Sequence, residues 1–324
     1  MEHILKIIVE EQYLPATAGR ILQIQAGLTR HQISSAKFRP GGITRNGIQC
    51  RVTESVLAGD TLSIRLEDSS PGSSHLQQPS EILPPLRVLY EDRDVLAVDK
   101  PSGLVTHPSG KHYNDSLSNQ VYWYLHQKNE EVTVRSIGRL DRETSGVVIF
   151  AKNKTSAARL QTQNHTGDYR KEYLAVLSGF LPANSQHTVQ QPIGPDPDDP
   201  RKRKAFSHLD RIPPECQSAI THFQVLYGTP EWSLVSLILD TGRTHQIRVH
   251  MKALGHPLIG DTLYGLSPNP SFSFHRAALH AWHVSFIHPF KNNRIFLESE
   301  LPEDFSPLEK YVTNKPVSTL LNNY

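Results

Sequence analysis

Apolar and polar positions alternate with short periods along most of the chain, and the period changes from segment to segment. RVLYEDRDVLAVD (87–99) reads as two strands about a polar turn, and GVVIFA (146–151) as a short buried strand. RKEYLAVLSG, ITHFQVLYG and SLVSLILD, between 170 and 240, alternate in part and read as further strands. Helical spacing appears in LSNQVYWYLHQ, where Leu117, Val121, Tyr124 and Leu125 share a stripe, and KTSAARLQTQ reads as a second helix. THQIRVHMKALG places Ile247, Met251 and Leu254 on one face with Gly255 as its C-terminal cap, and Arg248 and Lys252 lie one turn apart beside that stripe. Near the start, AGRILQIQA is apolar-periodic and LTRHQISSA offers Thr29 as a helix cap. ITRNGIQC carries an Asn46-Gly47 hairpin turn, and AGDTLSIRL a turn feeding a strand.

Three stretches break the pattern. Residues 69–85, SSPGSSHLQQPSEILPP, have no hydrophobic period and predict a linker. Residues 195–215 combine prolines with a switch from acids to bases and predict a long loop, and residues 303–324 predict an extended tail. The expected organisation is therefore a small unit over 1–68, a linker over 69–85, a large unit over 86–302 and the tail.

Composition narrows the class. With 324 residues, 37% hydrophobic and 20% charged, the chain has an ordinary globular balance and room for more than one domain. Cys50 and Cys216 are the only cysteines and form no CxxC pair, which excludes a disulfide framework or a cysteine-rich zinc module and fits a reducing cytosol. The opening MEHILKIIVEEQYLP is too acidic for a signal peptide, and no run approaches the roughly 20 apolar residues that span a bilayer. A cytoplasmic protein is expected.

A net charge of +2 announces no nucleic-acid partner, but the distribution does. Arg20, Arg30, Lys37, Arg39, Arg45 and Arg51 all lie between 17 and 51, with no Asp or Glu among them. A face selected for solubility alone mixes both signs, so this stretch is a candidate RNA-binding surface. The run Arg201, Lys202, Arg203, Lys204 is a mobile exposed loop or a second contact with phosphates.

Candidate chemistry concentrates in GRLDRETSG, in RKEYLAVLSG, and in TGRTHQIRVHMKALGHPLIGDTLYG, which has no acid between Thr241 and His256. Taken singly, Asp141 reads as turn chemistry, Tyr173 as a strand tyrosine and Arg248 as a solvated helix residue. A carboxylate that works inside a pocket needs an opposite charge beside it, and Arg248 is the candidate partner of Asp141. Among the 17 histidines, the pairs His245–His250 and His107–His112 lack any recognised ligand spacing, so no metal is expected. No phosphate loop or cofactor motif is present, and no cofactor is expected.

Together with VLYEDRDVLAVDKPSGLVTHP, these motifs resemble, in order and across nearly all of residues 87–288, the RluA family of pseudouridine synthases. Residues 15–67 resemble the small alpha-L RNA-binding fold of a ribosomal small-subunit protein, with FRPGGI standing where that fold has a helix end and glycine turn. The resemblance implies an α+β catalytic domain with a mixed, largely antiparallel sheet crossed by a cleft. It implies an isomerase that turns uridine into pseudouridine in structured RNA, with large-subunit ribosomal RNA the leading substrate, transfer RNA the runner-up, and no obligate protein partner. By the same resemblance Asp141 is the catalytic aspartate, Tyr173 packs against the base, Arg248 pairs with Asp141, Ile247 walls the uracil pocket, and Arg139 enters the RNA stack. Arg243 and Lys252 are expected to neutralise flanking phosphates. Gly138 stands where much of the family has histidine, so this motif does not assign the RNA. A catalytically silent RNA-binding protein and a metal-dependent hydrolase are the competing classes. The intact trio argues against the first, and survival of activity in a chelator would argue against the second.

Overall fold

The computed structural model describes residues 2–67, 76, 78–79, 83–110, 112–130, 132–207, 212–265 and 274–312, so most of the expected linker and the end of the expected tail lie outside the described residues. Residues 2–67 contain β1 (Glu2–Ile8), α1 (Ala18–Ile24), α2 (Arg30–Lys37), β2 (Ile43–Arg45), β3 (Ile48–Gln49) and β4 (Thr61–Glu67). Thr29 caps α2 through a reciprocal box with Gln32, which satisfies two of the free amides at the helix start. Asn46 and Gly47 both take positive φ, as the tight hairpin between β2 and β3 requires. The four strands pair in the order β1-β4-β2-β3 over a core of Leu5, Ile21, Leu22, Ile33, Ile43, Leu62 and Ile64. Gln32 Nε2 donates to Thr155 Oγ1 at 2.9 Å, and Phe290 packs on this core, so the small unit leans on the large one.

The large unit begins with β5 (Arg87–Glu91), β6 (Val95–Lys100), α3 (Leu117–Gln127), β7 (Arg135–Ile137), β8 (Ser145–Ala151), α4 (Lys154–Thr166) and β9 (Arg170–Ser178). It continues with β10 (Gln186–Gln190), β11 (Ile193–Pro195), β12 (Arg203–Ala205), β13 (Ile220–Gly228), β14 (Trp232–Leu239), α5 (Gln246–Ala253), β15 (Leu279–Ile287), β16 (Arg294–Glu298) and α6 (Glu309–Val312). Its main sheet runs β10-β13-β14-β9-β15-β8-β6-β5, with β16 on β15 and β7 on β8. Among the described residues of this sheet only the β8–β15 contact is parallel. This is the mixed, largely antiparallel sheet of an α+β fold.

Strand alternation sends side chains to two cores. Val98, Val148, Tyr173, Ala175 and Leu237 face α3 and α5, which contribute Leu117, Val121, Leu125, Ile247 and Met251. On the other face α4 adds Leu160 to a cluster with Val95, Val147 and Phe286. Leu254, expected on the buried stripe of α5, is its C-cap residue and is 42% exposed.

Two expectations are corrected. Residues 195–215 are not simply a loop, because β11 and β12 pair as an antiparallel ribbon through Ile193–Ala205, Gly194–Lys204 and Pro195–Arg203. The segment read as an extended tail turns inward at once. Residues 303–312 form a 3-10 turn followed by α6, and Phe305, Leu308 and Val312 are buried with Leu174, Val176 and Trp232.

Candidate active site

The connection from β7 to β8 carries Asp141, and its shape is imposed from both sides. Gly138 opens it at φ +75°, a conformation that side chains disfavour, and the chain then presents Arg139 and Asp141 in succession. At the far end Gly146 has φ +113°, and a Cβ there would lie 2.1 Å from Ala281 O, so only glycine lets β8 approach β15 so closely. The segment after β6 stitches the residues flanking Asp141. Thr106 Oγ1 donates to Leu140 O at 2.9 Å and accepts from Leu140 N at 3.1 Å. Lys100, fully buried, donates to Pro101 O at 2.9 Å, Leu104 O at 2.7 Å and Arg142 O at 3.2 Å. Gly103 N also donates to Arg142 O at 2.7 Å, and Arg142 Nε returns a bond to Gly103 O at 3.0 Å. Arg276 adds a brace, donating to Glu143 O at 3.0 Å while its other nitrogens hold Asp304 at 2.7 and 2.9 Å.

Asp141 opens onto a cavity of about 550 Å³. Arg139, Tyr173, Arg243, Ile247 and Arg248 line the same space, so six of the residues singled out by sequence meet there, Asp141 included. Arg139 is exposed at the mouth, whereas Tyr173 and Ile247 are buried in the wall. Arg248 Nη1 stands 3.9 Å from Asp141 Oδ2. Burial and then the Asp141 charge push the Tyr173 phenol above its ordinary range, so it meets a ligand as a neutral ring.

The main partner of Arg248 is not Asp141. Its Nε and Nη2 donate to the two oxygens of Asp261, each at 2.7 Å, in a bidentate pair, and Glu143 lies 3.5 Å from Nη2. Asp261 also accepts from the backbone N–H groups of Leu263 and Tyr264 at 2.9 Å. Burial opposes ionisation of both partners, yet their mutual bond outweighs it, raising the Arg248 guanidinium and lowering the Asp261 carboxyl. Arg248 is thus a fixed cation. Its one remaining nitrogen reaches toward Asp141, and the Tyr264 ring covers it with its centroid 5.1 Å from Cζ.

Lys252 does not join the cavity; it is exposed, with Nζ 5.7 Å from the Tyr264 ring. The six N-terminal cations sit on the small unit. Arg20, Arg30, Lys37 and Arg51 are exposed, while Arg39 and Arg45 are half-buried, Arg45 donating to Ser55 O at 2.8 Å. The histidine pairs are engaged in hydrogen bonds: His250 with Thr221 Oγ1 and Gln191 O, His245 with the Tyr264 hydroxyl, His107 with Ser118 and Ser136, and His112 with Asp115.

Sequence reasoning missed Asp261, Lys100, Thr106, Thr144 and Lys171. Asp261 was the readable one, being the first acid after the acid-free stretch that begins at Thr241. Thr144 Oγ1 and Tyr169 OH are buried in the cavity wall and have no hydrogen-bond partner among the described residues. Lys171 lines the same wall, and burial lowers its ammonium to about 8.

Asp141 on a braced loop, the buried Arg248 beside it and the Tyr173 ring thus share one cavity. A family model described as RNA pseudouridylate synthase matches residues 94–253. The uncharacterised RNA pseudouridine synthase YjbO of Bacillus subtilis is 35% identical over 88% of this chain and 96% of its own length. The ribosomal large subunit pseudouridine synthase D of Nitrosomonas europaea is 33% identical over 82% of this chain and 76% of its own. Among solved structures, human RNA pseudouridylate synthase domain containing 4 has TM-score 0.55 and 25% identity, covering 70% of this chain and 93% of that one. The chain belongs to the RluA family of pseudouridine synthases. It is an isomerase that converts uridine in RNA to pseudouridine.

Proposed function

We propose that Asp141 is the reagent of this isomerisation and that large-subunit ribosomal RNA is the substrate, with transfer RNA the alternative. The observation that carries the first part is the stitching of Leu140 and Arg142 on either side of a carboxylate that faces a cavity beside Arg248. The relative named for the large ribosomal subunit supports the choice of RNA. The reaction breaks the bond between uracil nitrogen and ribose, turns the base and rejoins it through a ring carbon, with no group gained or lost. Its only chemical demand is a carboxylate at the sugar or the base, whether as nucleophile or as base.

A uridine within a helix is out of reach, so it is flipped at a cost of a few kcal/mol. Arg139, exposed at the mouth, takes the place the base leaves, Tyr173 receives its face and Ile247 closes the wall. Arg243 meets a flanking phosphate. Residues 1–68 act as an alpha-L-like RNA-binding domain, residues 69–85 as a linker and residues 86–302 as the catalytic domain, with 303–312 bracing it. Among the described residues no helix is long and apolar enough to cross a membrane, and we place the enzyme in the cytoplasm.

The test is to incubate the protein and its Asp141→Asn variant with unmodified large-subunit ribosomal and transfer RNA, then map pseudouridine by carbodiimide labelling and primer extension. The expected result is a new stop on ribosomal RNA with the unaltered protein alone, and RNA affinity of the variant within a few fold. Equal activity of the variant would remove Asp141 from its role. A stop on transfer RNA alone would correct the substrate.

A further inference from the structure

Beside the catalytic cavity lies a second hollow of about 230 Å³. Arg243 and Thr244 line both, so the two spaces share a wall. Across the hollow stands the β11–β12 ribbon, which contributes Arg203, while Glu215 and Gln217 complete the rim.

The basic run 201–204 is divided by its surroundings. Asp199 takes Arg201 in a bidentate pair at 3.0 and 2.7 Å and lies 3.8 Å from Lys202. Those two cations are largely answered within the turn. Along β12 successive side chains point to opposite sides, so Arg203 turns to the hollow and Lys204 to solvent, where its Nζ lies 5.7 Å from the Phe206 ring. Arg203 is half-buried and makes no ion pair among the described residues. Arg243 is steadied by a bond from Nε to Ser218 O at 3.0 Å, which leaves both Nη groups without a protein partner among those residues. Glu215, the one acid on the wall, pairs with neither arginine.

The ribbon is tied to the active site. Arg203 N donates to the Tyr264 hydroxyl at 2.8 Å, and that hydroxyl meets His245 Nδ1 at 2.8 Å at the start of α5. The ring of the same tyrosine covers Arg248.

We propose that this hollow is a phosphate subsite, in which Arg203 and Arg243 clamp a phosphodiester of the RNA strand next to the flipped uridine. Two guanidinium forks facing one hollow match the oxygens of a phosphate, and the net excess of one positive charge over Glu215 suits a singly charged group. The proposal rests on the reading of the larger cavity as the uridine site. It assigns to the ribbon a share in holding the strand, since a phosphate bound here adds affinity for the RNA whose base is held there.

The experiment compares Arg203→Met, Arg203→Lys and Lys204→Met in the full chain, each checked for unchanged thermal unfolding. The RNA is whichever of the large-subunit ribosomal or transfer RNA transcripts gains pseudouridine with the unaltered protein, so a wrong choice of RNA is seen before the variants are compared. If neither transcript gains it, the catalytic reading fails, while affinity for the ribosomal transcript still tests Arg203. Arg203→Met is expected to weaken RNA binding about tenfold and to flatten the dependence of log affinity on log salt by about 0.7 to 0.9, as expected for one phosphate. Its rate at saturating RNA should stay within about twofold, Arg203→Lys should recover most of the affinity, and Lys204→Met should change little. Equal losses from Arg203→Met and Lys204→Met would mean diffuse attraction and overturn the subsite. So would an unchanged salt slope, or a fall in saturated rate at constant affinity, which would make Arg203 a support for Tyr264 instead.

Discussion

In the small N-terminal unit Arg20, Arg30, Lys37 and Arg51 stand exposed and form no ion pair among the described residues, whereas in the large unit Arg248 on α5 and Lys100 at the end of β6 are buried, the one held by a bidentate carboxylate and the other by three backbone carbonyls. The first arrangement suits a surface that meets many phosphates and depends on none of them individually. On the proposed reading of this face as an RNA contact, each exposed cation keeps its water until RNA replaces it, and affinity then comes from counterion release. The second arrangement suits chemistry. A buried cation cannot wait for its ligand without a partner, so Asp261 and three backbone carbonyls hold these charges in place beforehand. Removing a charge should therefore be graded and salt-dependent in one region, abrupt and salt-independent in the other.

The largest effect should come from Asp261→Asn, which leaves Arg248 buried without its bidentate partner. The expected cost is about 3–5 kcal/mol of folding stability by denaturant titration, with a loss of turnover that added salt does not alter. Stability within about 0.5 kcal/mol of the parent would show that Asp141 or Glu143 can replace Asp261, and the distinction between the regions would weaken. Next in size is the joint change Arg20→Gln, Arg30→Gln, Lys37→Gln and Arg51→Gln. It should leave the melting temperature and saturated rate nearly unchanged, weaken RNA binding roughly tenfold or more, and lower the salt slope by about 0.7–0.9 for each phosphate that is no longer neutralised. A slope equal to that of the parent would mean that this face does not touch RNA.

The same contrast explains what could be read from the sequence. The exposed cations were countable, because a surface charge needs no partner to be recognised. Asp141, Tyr173 and Arg248 were legible because each sits in an ordered motif, and their meeting in one cavity follows from the strand order β9-β15-β8 with α5 packed on the same face as Tyr173. Asp261 escaped because its pairing with Arg248 spans the end of α5 and a turn, which no helical spacing predicts. Lys100 reaches Arg142 O 42 positions away and Thr106 reaches Leu140 O 34 positions away, and a backbone carbonyl leaves no mark on composition. The end of the chain misled for another reason. Pro302, Asp304 and Pro307 read as loop, while the spacing of Phe305, Leu308 and Val312 was the signal that they share a buried face. Prolines likewise concealed the β11–β12 ribbon.

A third change tests the stitching itself. Thr106→Val keeps the shape but removes the hydroxyl that serves both backbone groups of Leu140, at an expected cost of about 1–3 kcal/mol. Saturated rate should fall about tenfold with RNA affinity unchanged, and Thr106→Ser should restore it. Failure of serine to rescue would point to packing rather than hydrogen bonding.

The smallest effect is also the most discriminating, because it sets stability against rate. Burial, helped by the nearby Arg276 charge and opposed by Asp141 and Asp99, lowers the Lys100 ammonium from 10.5 to about 7. Lys171 is lowered from 10.5 to about 8 by burial alone. Above the folded values and below 10.5 the unfolded chain binds more protons than the folded one, so stability contributed by these two groups rises with pH. Rate should move the opposite way. Three carbonyls share the Lys100 ammonium, and a neutral amine has only two protons to give, so one bond among Pro101, Leu104 and Arg142 loses its donor as the pH rises through about 7. Between pH about 7 and about 8.5 the melting temperature should therefore climb by a few degrees while saturated turnover falls a few fold. Lys100→Met should be slower than the parent and lose the part of this decline that begins near 7. A variant that keeps the parent's full decline would free Lys100 from any part in holding the Asp141 loop and leave Lys171, at about 8, as the group that the rate reports.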